Sequence, residues 1–517
     1  MQKDVQISLT PDRAFDRKAQ INAIARKLEI QSDEISGIKL VRRSIDARKK
    51  RVVYEMKFEV YVGEEVPEDV IAMPKYPKVD KAAEVIIVGG GPAGIFAALR
   101  LIELGIKPIV LERGQDVRNR RRDLKAINQD HVVNPESNYC FGEGGAGTYS
   151  DGKLYTRSTK RGDVRKVLES MVAHGASENI LIDAHPHIGT NKLPQLVTSL
   201  NESILNAGGE IHFNTKVTDF ILEGSKMTGV VTASGDKITG KGVILATGHS
   251  ARDIYELLHE KGILIEAKPF AMGVRIEHPQ PIIDSIQYHC TERGDFLPAA
   301  SYSVVNNVNG RGVYSFCMCP GGFIVPSATA PGEVVVNGMS PSKRDSVFAN
   351  SGMVVAIEVE DMQEYASHGP LAGLRYQQAV EKAAWKAGGE TQAAPAQRMV
   401  DFFNRKSSGM LNETSYQPGL TSAPLHEILP KQISGRLQKS FQSFGKKMHG
   451  YFTNQAQILG VESRTSSPVR IPRDKETLVH PQIEGLYPCA EGAGYAGGIV
   501  SAAIDGERCA EAIAKTV

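Results

Sequence analysis

The feature that most constrains the fold of this chain is a glycine-rich turn at residues 89–94, with the sequence GGGPAG. The turn directly follows the apolar run VIIV at residues 85–88, which is typical of a central parallel strand covered on both faces. A stretch with helical periodicity comes next. In such a unit Gly89 permits a sharp exit from the strand, Gly91 lets the backbone approach a pyrophosphate, and Gly94 allows close packing of helix on strand. The turn therefore predicts a dinucleotide-binding site.

The strand after this helix supplies a carboxylate at the position expected for ribose binding. Residues 108–111 form a short apolar run, and Glu112 follows it directly. A carboxylate there can accept hydrogen bonds from both ribose hydroxyls, and it disfavours a 2′-phosphate. The unpaired N–H groups and positive dipole end of the helix favour the phosphates. We therefore expect Pro92, Ala93, Glu112 and Arg113 to contact the dinucleotide with the three glycines.

Two later segments decide between FAD and NAD, which share this fingerprint. Residues 242–248, GVILATG, resemble the Ala-Thr-Gly motif of FAD proteins of the glutathione-reductase type, and residues 486–499 resemble their second flavin motif. The resemblance implies that Glu491 binds the ribityl chain or the pyrophosphate, and that backbone N–H groups near Gly498 face the pyrimidine side of the flavin. The contacts predicted in these segments are Ala246, Thr247, Gly248, Glu491, Gly492, Gly497, Gly498 and Ile499.

A glycine-rich loop between these motifs resembles the flavin-embracing loop of the same superfamily. Residues 138–154 read NYCFGEGGAGTYSDGKL, and small residues in this loop would let the backbone lie against the cofactor. A flexible surface loop is the alternative, but the interleaved aromatic residues and Asp151 are less typical of a plain linker. The loop contacts that we expect are Gly144, Gly145, Ala146, Gly147 and Thr148.

Residues 80–517 are similar to the uncharacterised bacterial FAD-dependent dehydrogenase family, with a glutathione-reductase-like FAD fold. The resemblance also rests on residues 186–190, 317–322 and 462–470, with the sequences PHIGT, CMCPGG and ESRTSSPVR. It implies that the backbone of Val217 holds the adenine. It does not identify the substrate.

The order of the predicted elements gives an α/β fold in three parts. Residues 1–66 read as a small N-terminal βαββ domain, half of a ferredoxin-like unit, and residues 67–82 have the composition of a linker. A Rossmann-like FAD-binding domain is discontinuous, with its first part at 83–264 and its second at 456–517. Between them, residues 265–455 mix strand-like and helical pieces and are predicted to form an inserted α+β substrate or cap domain. Residues 210–214 and 229–232 are predicted to be strands of one small sheet.

Composition limits the compartment and the partners. The formal net charge of +2 over 517 residues gives no global attraction to nucleic acid or anionic membrane, and no apolar run approaches the ~20 residues of a membrane span. The first residues show neither a signal core nor a transit pattern, so we expect a cytoplasmic protein that does not engage a membrane. Nucleic acid is an unlikely partner, a small-molecule substrate is expected, and the oligomeric state does not follow from the sequence.

The function that the motifs favour is that of an FAD-dependent dehydrogenase or reductase. It would transfer hydride between flavin and a small organic substrate. A second GxGxxG for a separate nicotinamide domain is not predicted after Gly248, so NAD(P)H would have to bind transiently over the flavin. Lys153 could place positive charge near reduced flavin, Arg464 could hold an anionic substrate or nicotinamide, and His187 could donate a proton. Structural roles for these three residues remain open.

Cys317 and Cys319 raise the question of a redox dithiol. Disulfide reductases of this superfamily carry their cysteine pair on a helix at a wider spacing, whereas Cys317 and Cys319 lie in a predicted strand. We therefore expect packing or cofactor lining, with a redox role as the alternative. No second CxxC or histidine pair has ligand spacing, so no metal site is predicted.

Two other classes of function remain open. The basic turn at residues 48–51, RKKR, could contact phosphates in an RNA-directed flavoprotein, although a solvated basic hairpin explains it as well. The second of these classes is a sensor that binds FAD without catalytic turnover.

Overall fold

A five-stranded parallel sheet forms the centre of the FAD-binding part of the chain. The computed structural model describes residues 1–67, 71–156 and 162–517. In the order found across the sheet, the strands are Leu486–Pro488, Val243–Leu245, Glu84–Val88, Lys107–Leu111 and Glu210–His212. Val85, Ile86 and Ile87 are fully buried because helices or strands cover both faces of the sheet. The mixed α/β class is confirmed.

One strand assignment from the sequence was wrong. Glu210–His212 pairs with Lys107–Leu111 at the edge of the parallel sheet, not with residues 229–232. The small antiparallel sheet consists of Val217–Glu223, Lys226–Thr232 and Lys237–Thr239. A short apolar run fits a buried parallel edge and a hairpin equally well, so periodicity alone could not separate them.

A seven-stranded sheet organises the middle of the chain. In spatial order its strands are Val305–Val308, Arg311–Cys319, Phe348–Ile357, Phe270–Pro279, Gln457–Glu462, Ala394–Arg398 and Leu420–Ser422. Gln457–Glu462 pairs with Phe270–Pro279, so the sheet extends past the boundary expected at residue 455. The short strand Val469–Arg470 likewise pairs with Glu266–Ala267 before the chain returns to the parallel sheet.

The N-terminal part has its own core. Gln2–Leu9, Ile35–Asp46 and Val53–Val62 form an antiparallel sheet in which Val53–Val62 is central, and the helix Arg17–Leu28 packs on it. Alternating residues such as Met56, Phe58 and Val60 are buried, as expected when one sheet face is covered.

The remaining helices surround the two larger sheets. They are Pro92–Glu103, Val117–Lys125, Val164–Ala173, Leu193–Asn206, Arg252–Glu260, Gln280–Tyr288, Ala372–Ala387, Met399–Phe403, Leu425–Ile428, Lys431–Lys447 and Ile499–Ala514. Phe323–Pro326 and Val336–Met339 form a separate strand pair. Within the described part of the chain, no helix is long and apolar enough to cross a membrane.

Candidate functional site

A deep cleft opens at the carboxyl ends of the parallel strands. Its empty volume, counted out to the open mouth, is about 1360 Å³. The N-termini of the helices Pro92–Glu103 and Ile499–Ala514 both border it, because each helix begins directly after a parallel strand or the turn that follows one. The carboxyl edge of a parallel sheet is where α/β folds bind nucleotides, and two helix N-termini there favour a bound anion.

Most of the predicted cofactor contacts line this cleft. These are Gly89, Gly91, Pro92, Ala93, Glu112, Arg113, Gly145, Ala146, Gly147, Val217, Ala246, Thr247, Gly248, Glu491, Gly498 and Ile499. Lys153 lines it as well, whereas Gly94, Gly144, Thr148, Gly492, Gly497, His187 and Arg464 lie outside its lining. Cys317, for which packing or cofactor lining was expected, also lines the cleft, and lining residues that the sequence did not single out include Lys216, His249 and Asp253.

The three glycines of the turn differ in what surrounds them. Gly89 has a φ of 109°, which favours glycine. A side chain at Gly94 would overlap the carbonyl oxygen of Gly89, so this glycine permits close packing of helix on turn. A Cβ at Gly91 would meet nothing nearer than the Cα of Gly145, at 3.9 Å, and would project into open space. Gly91 thus leaves room for a phosphate group, and Gly94 holds the turn together.

Glu112 ties the glycine turn to two neighbouring loops. Its buried carboxylate accepts the N–H of Gly90 at 2.8 Å, of Gly114 at 2.9 Å and of Gly142 at 2.8 Å. Three backbone N–H groups therefore already bind the carboxylate that was predicted to bind ribose. A sequence motif shows residue types but not such backbone contacts. Because each carboxylate oxygen has two lone pairs, Oε2 keeps capacity for a ribose hydroxyl, and that contact stays a prediction.

The glycine loop of residues 142–148 packs directly on the turn. Gly144 donates its N–H to the carbonyl of Gly90 at 2.9 Å, and its φ is 75°. The Thr148 hydroxyl donates to the carbonyl of Glu143 at 2.6 Å. Two of the predicted loop contacts, Gly144 and Thr148, therefore shape the loop from behind the cleft surface.

Arg120 anchors this loop and was missed by sequence reasoning. It is fully buried, and its guanidinium donates to the carbonyls of Asn138, Tyr139 and Glu143 at 2.8 to 3.0 Å. Burial lowers its pKa. Arg120 is one of four arginines in a polar helix, which is typical of a surface helix, so the sequence held no signal for this role.

Glu491 lies at the other end of the cleft, beside the second helix N-terminus. It accepts the N–H of Gly498, and its Oε2 is 3.2 Å from Nδ1 of His249. Burial would raise its pKa, but the hydrogen bonds from His249 and Gly498 outweigh burial and hold the pKa below its usual value. The donor at Gly498 that was expected to face the flavin is thus directed to Glu491.

Lys153 carries the positive charge nearest to the seven-stranded sheet within the cleft. Its Nζ is 3.3 Å from Asp151, 3.7 Å from Cys317 Sγ and 3.6 Å from Cys319 Sγ. Burial would lower the pKa of Lys153, but the two sulfurs and Asp151 raise it above its ordinary value. Asp151 is also paired with Arg344 at 2.9 Å. Lys153 therefore stays protonated at neutral pH.

The other two catalytic candidates lie away from the cleft surface. His187 is bonded through Nε2 to the carbonyl of Ser342 at 3.2 Å, and burial lowers its pKa. Arg464 is buried and pairs with Glu333 at 3.0 Å and Glu381 at 3.1 Å. Its donors are directed into the protein, so its charge faces neither substrate nor cofactor here.

The basic turn of the N-terminal part is exposed and partly paired. Arg48 makes a bidentate contact with Asp46, with distances of 2.9 and 2.6 Å. Arg43 on the preceding strand is held by Asp183 at 2.8 Å. These ion pairs neutralise part of the patch that could have contacted phosphates.

One further cluster has metal-binding residue types. Cys489, Asp505 and Cys509 are buried with ligand atoms within 4.8 Å of one another. Arg473 contacts two of the three, since its guanidinium donates to Asp505 at 2.6 Å and to Cys509 Sγ at 3.5 Å. A fixed cation in that position makes the cluster a buried ion pair rather than a metal centre.

Four protein families match parts of the chain, and three of the matched ranges overlap. Residues 82–241 match an FAD binding domain, and residues 186–331 match an FAD dependent oxidoreductase family. Residues 269–465 match a family described as "FAD-dependent protein, C-terminal domain-like", which spans the seven-stranded sheet. Residues 1–61 match a domain of unknown function, DUF8436.

Relatives match over very different lengths. An uncharacterized protein of Clostridium beijerinckii is 40% identical over 512 residues, covering 95% of this chain and 94% of its own. Thiamine thiazole synthase of Methanococcus vannielii is 28% identical over 179 residues, which are 32% of this chain and 57% of its own.

Similar solved structures are distant in sequence. The flavin-dependent brominase Bmp2 is 14% identical with a TM-score of 0.37, covering 84% of this chain and 79% of its own. CtdE in complex with FAD is 11% identical with a TM-score of 0.34, covering 84% of this chain and 85% of its own. Scores this low support no conclusion about the reaction.

Proposed function

The chain belongs to one family with the uncharacterized protein of Clostridium beijerinckii and matches FAD-dependent oxidoreductase families, and from this premise we propose that it is a dehydrogenase or reductase. It transfers a hydride between FAD and a small organic substrate bound where the cleft meets the seven-stranded sheet. FAD supplies the hydride chemistry when bound, and the chain supplies orientation, electrostatics and proton traffic.

The donor set of the cleft fits FAD. Gly91 leaves open space beside a helix N-terminus, where a pyrophosphate fits without a basic side chain. Glu112 retains acceptor capacity for an adenosine ribose, and Val217 lines the cleft where adenine contact is expected. Glu491 borders the second helix N-terminus, where the flavin end would lie if the cofactor is extended.

The observation that carries the proposal is that residues from both large sheets meet in one cleft. Cys317 comes from the seven-stranded sheet and Lys153 from the FAD-binding part, and both line the cleft with their side chains in contact at 3.7 Å. A substrate at this junction is held between the cofactor and the seven-stranded sheet. Lys153 gives the junction a fixed positive charge that attracts an anionic substrate or stabilises reduced flavin.

The electron donor is proposed to be a nicotinamide cofactor that binds transiently or the organic substrate itself. Two glycine turns of the GxGxxG type follow parallel strands, at residues 89–94 and 492–497, and we assign both to the FAD site. A nicotinamide would therefore enter from the open mouth of the cleft.

Anaerobic reduction tests the proposal. FAD-loaded protein is mixed with NADH, NADPH and a panel of metabolites, and we expect one donor to bleach the flavin and an organic acceptor to restore it without oxygen. Lys153→Met should slow this reduction, whereas Lys226→Met, at an exposed lysine of the small sheet, should not. Reoxidation only by oxygen, with oxygen inserted into a product, would instead indicate a monooxygenase. Absence of reduction by every donor would indicate a flavin-binding sensor.

A further inference from the structure

Cys317 and Cys319 lie at an irregularity in their strand. The pairing of Arg311–Cys319 with Phe348–Ile357 shifts register between Phe316 and Cys319. Cys317 has a φ of 46°, in the left-handed region that a side chain other than glycine rarely adopts. Backbone conformations of this kind concentrate at functional sites. The regular strand assumed from the sequence, which argued against a working cysteine pair, is therefore absent at this point.

The two sulfurs converge on one amine. In a regular strand, residues two apart are separated by about 6.6 Å along the strand. Here Nζ of Lys153 lies 3.7 Å from Cys317 Sγ and 3.6 Å from Cys319 Sγ. Cys317 lines the FAD-binding cleft, whereas Cys319 is completely buried. One thiol is thus open to the cofactor side and the other is protected behind it.

A second cation holds the pair from the protein interior. Arg275 is fully buried and donates to the carbonyl of Cys317 at 2.7 Å and to Cys319 Sγ at 3.5 Å. Its other partners include Glu462 at 2.8 Å. Ordinary packing of two thiols does not call for a lysine directed at both sulfurs and an arginine directed at one of them, whereas a thiolate does.

We propose that Cys317 and Cys319 form a dithiol–disulfide couple that exchanges an electron pair with FAD bound in the cleft. In the oxidising direction, the Cys317 thiolate and the Cys319 thiol form an S–S bond. The couple gives up two electrons and the Cys319 proton, and oxidised FAD accepts them. Reduction of the disulfide by reduced FAD is the reverse reaction. This inference rests on the proposed function, because FAD must occupy the cleft.

The electrostatics of the two thiols support this division of roles. The hydrogen bond from Cys319, together with Lys153 and Arg275, lowers the pKa of Cys317 well below its usual value despite burial. The same hydrogen bond and burial raise the pKa of Cys319 well above its usual value. In the proposed couple Cys317, which is open to the cleft, serves as the thiolate, and Cys319 carries the proton that leaves when the disulfide forms.

A reductive titration of FAD-loaded protein tests the couple. Wild type and Cys319→Ser are oxidised with a thiol oxidant, freed of it, and titrated anaerobically with dithionite. We expect wild type to take up twice as many electrons per FAD as Cys319→Ser, because only wild type holds a disulfide. Cys290→Ser, at a half-buried cysteine of the same part of the chain, should behave as wild type.

Thiol mapping provides a second readout on wild type alone. Alkylation before and after the titration, located by mass spectrometry, should show Cys317 and Cys319 gaining label upon reduction. Equal electron uptake by wild type and Cys319→Ser, or unchanged labelling of both cysteines, would overturn the couple and leave the proposed function intact. A chain that takes up no FAD would instead remove the proposed function. If Cys319→Ser does not fold, the mapping decides.

Discussion

The carboxylate of Glu112 accepts the backbone N–H of Gly90 at 2.8 Å, inside the turn that would hold the cofactor's phosphates. The same side chain binds Gly114 and Gly142, so one carboxylate fixes the positions of three backbone segments around the cleft. Glu112 therefore positions the backbone around the cleft, whereas the sequence motif predicted only that it binds ribose.

Glu112→Gln should weaken FAD binding and lower stability. A glutamine replaces charge-assisted acceptors by a neutral amide and directs an NH2 group at backbone donors, which we expect to cost about 2 kcal/mol. The FAD dissociation constant should rise roughly tenfold or more, as measured by quenching of flavin fluorescence. Glu202→Gln, at an exposed carboxylate of the helix Leu193–Asn206, should change neither quantity appreciably. Unchanged affinity in Glu112→Gln would contradict the role given to this carboxylate.

Two glycine substitutions in the turn should have different effects. Gly94→Ala places a methyl group against the carbonyl of Gly89, so we expect a lower melting temperature and little holoprotein. Gly91→Ala places its methyl group in open space, so the protein should fold but lose FAD affinity. Gly409→Ala, where a Cβ meets nothing within 4 Å, is the neutral control. Full FAD binding by a folded Gly91→Ala variant would argue against a pyrophosphate at this position.

Arg464→Met should lower the free energy of unfolding and should have no specific effect on substrate affinity. The substitution leaves Glu381 and Glu333 with one cation fewer in a buried cluster, and breaking such a pair costs about 3 kcal/mol or more. Urea unfolding measures this loss. Arg470→Met, at an exposed arginine nearby, should have a small effect. A normal unfolding free energy combined with a raised KM in Arg464→Met would restore the substrate-binding role predicted from the sequence.

Protonation of Asp151 in acid should lower the stability of the protein. Burial raises its pKa, but Lys153, Arg344 and His187 outweigh burial and lower the pKa to about 2 from an ordinary value of 3.8. Because the folded-state pKa is the lower one, the stabilisation is complete above about pH 4 and is lost as the pH falls toward about 2. Its size is about 2 kcal/mol.

Asp151→Asn should remove this dependence. Unfolding free energies measured across the acid range should be lower than in wild type near neutral pH and should converge with wild type at low pH. Asp345→Asn, at an exposed carboxylate next to Arg344, should retain the wild-type profile. Parallel profiles for Asp151→Asn and wild type would show that the ion pairs of Asp151 do not contribute to stability.

The local parts of the site could be predicted from the sequence, and the long-range parts could not. Gly89, Gly91 and Glu112 belong to one strand–turn–helix–strand unit whose geometry depends on near neighbours, so their placement at the cleft followed from spacing. The contacts of Arg275 with Cys317 and Glu462 join segments far apart in the chain, and no local pattern contains them. Arg275 directly follows the apolar run at residues 270–274 of its strand, which offered a hint that it is buried.

Long-range burial is hidden from residue type. Arg464 was a candidate for holding an anionic ligand, with a structural role as the alternative, and its partners Glu333 and Glu381 come from other segments and enclose it. The objection to the cysteine pair assumed a regular strand, and the irregularity at Cys317 depends on pairing with a distant strand. Residue type and spacing do not determine either feature.

The stoichiometry of FAD binding tests the central claim most directly. Purified wild type, Gly91→Ala and Gly409→Ala are incubated with excess FAD, freed of unbound cofactor, and measured by visible absorbance and by protein concentration. We predict one FAD per chain for wild type and Gly409→Ala, and a large loss for a folded Gly91→Ala variant. A colourless wild-type protein after reconstitution would contradict the assignment of the cleft to FAD and with it the proposed reaction.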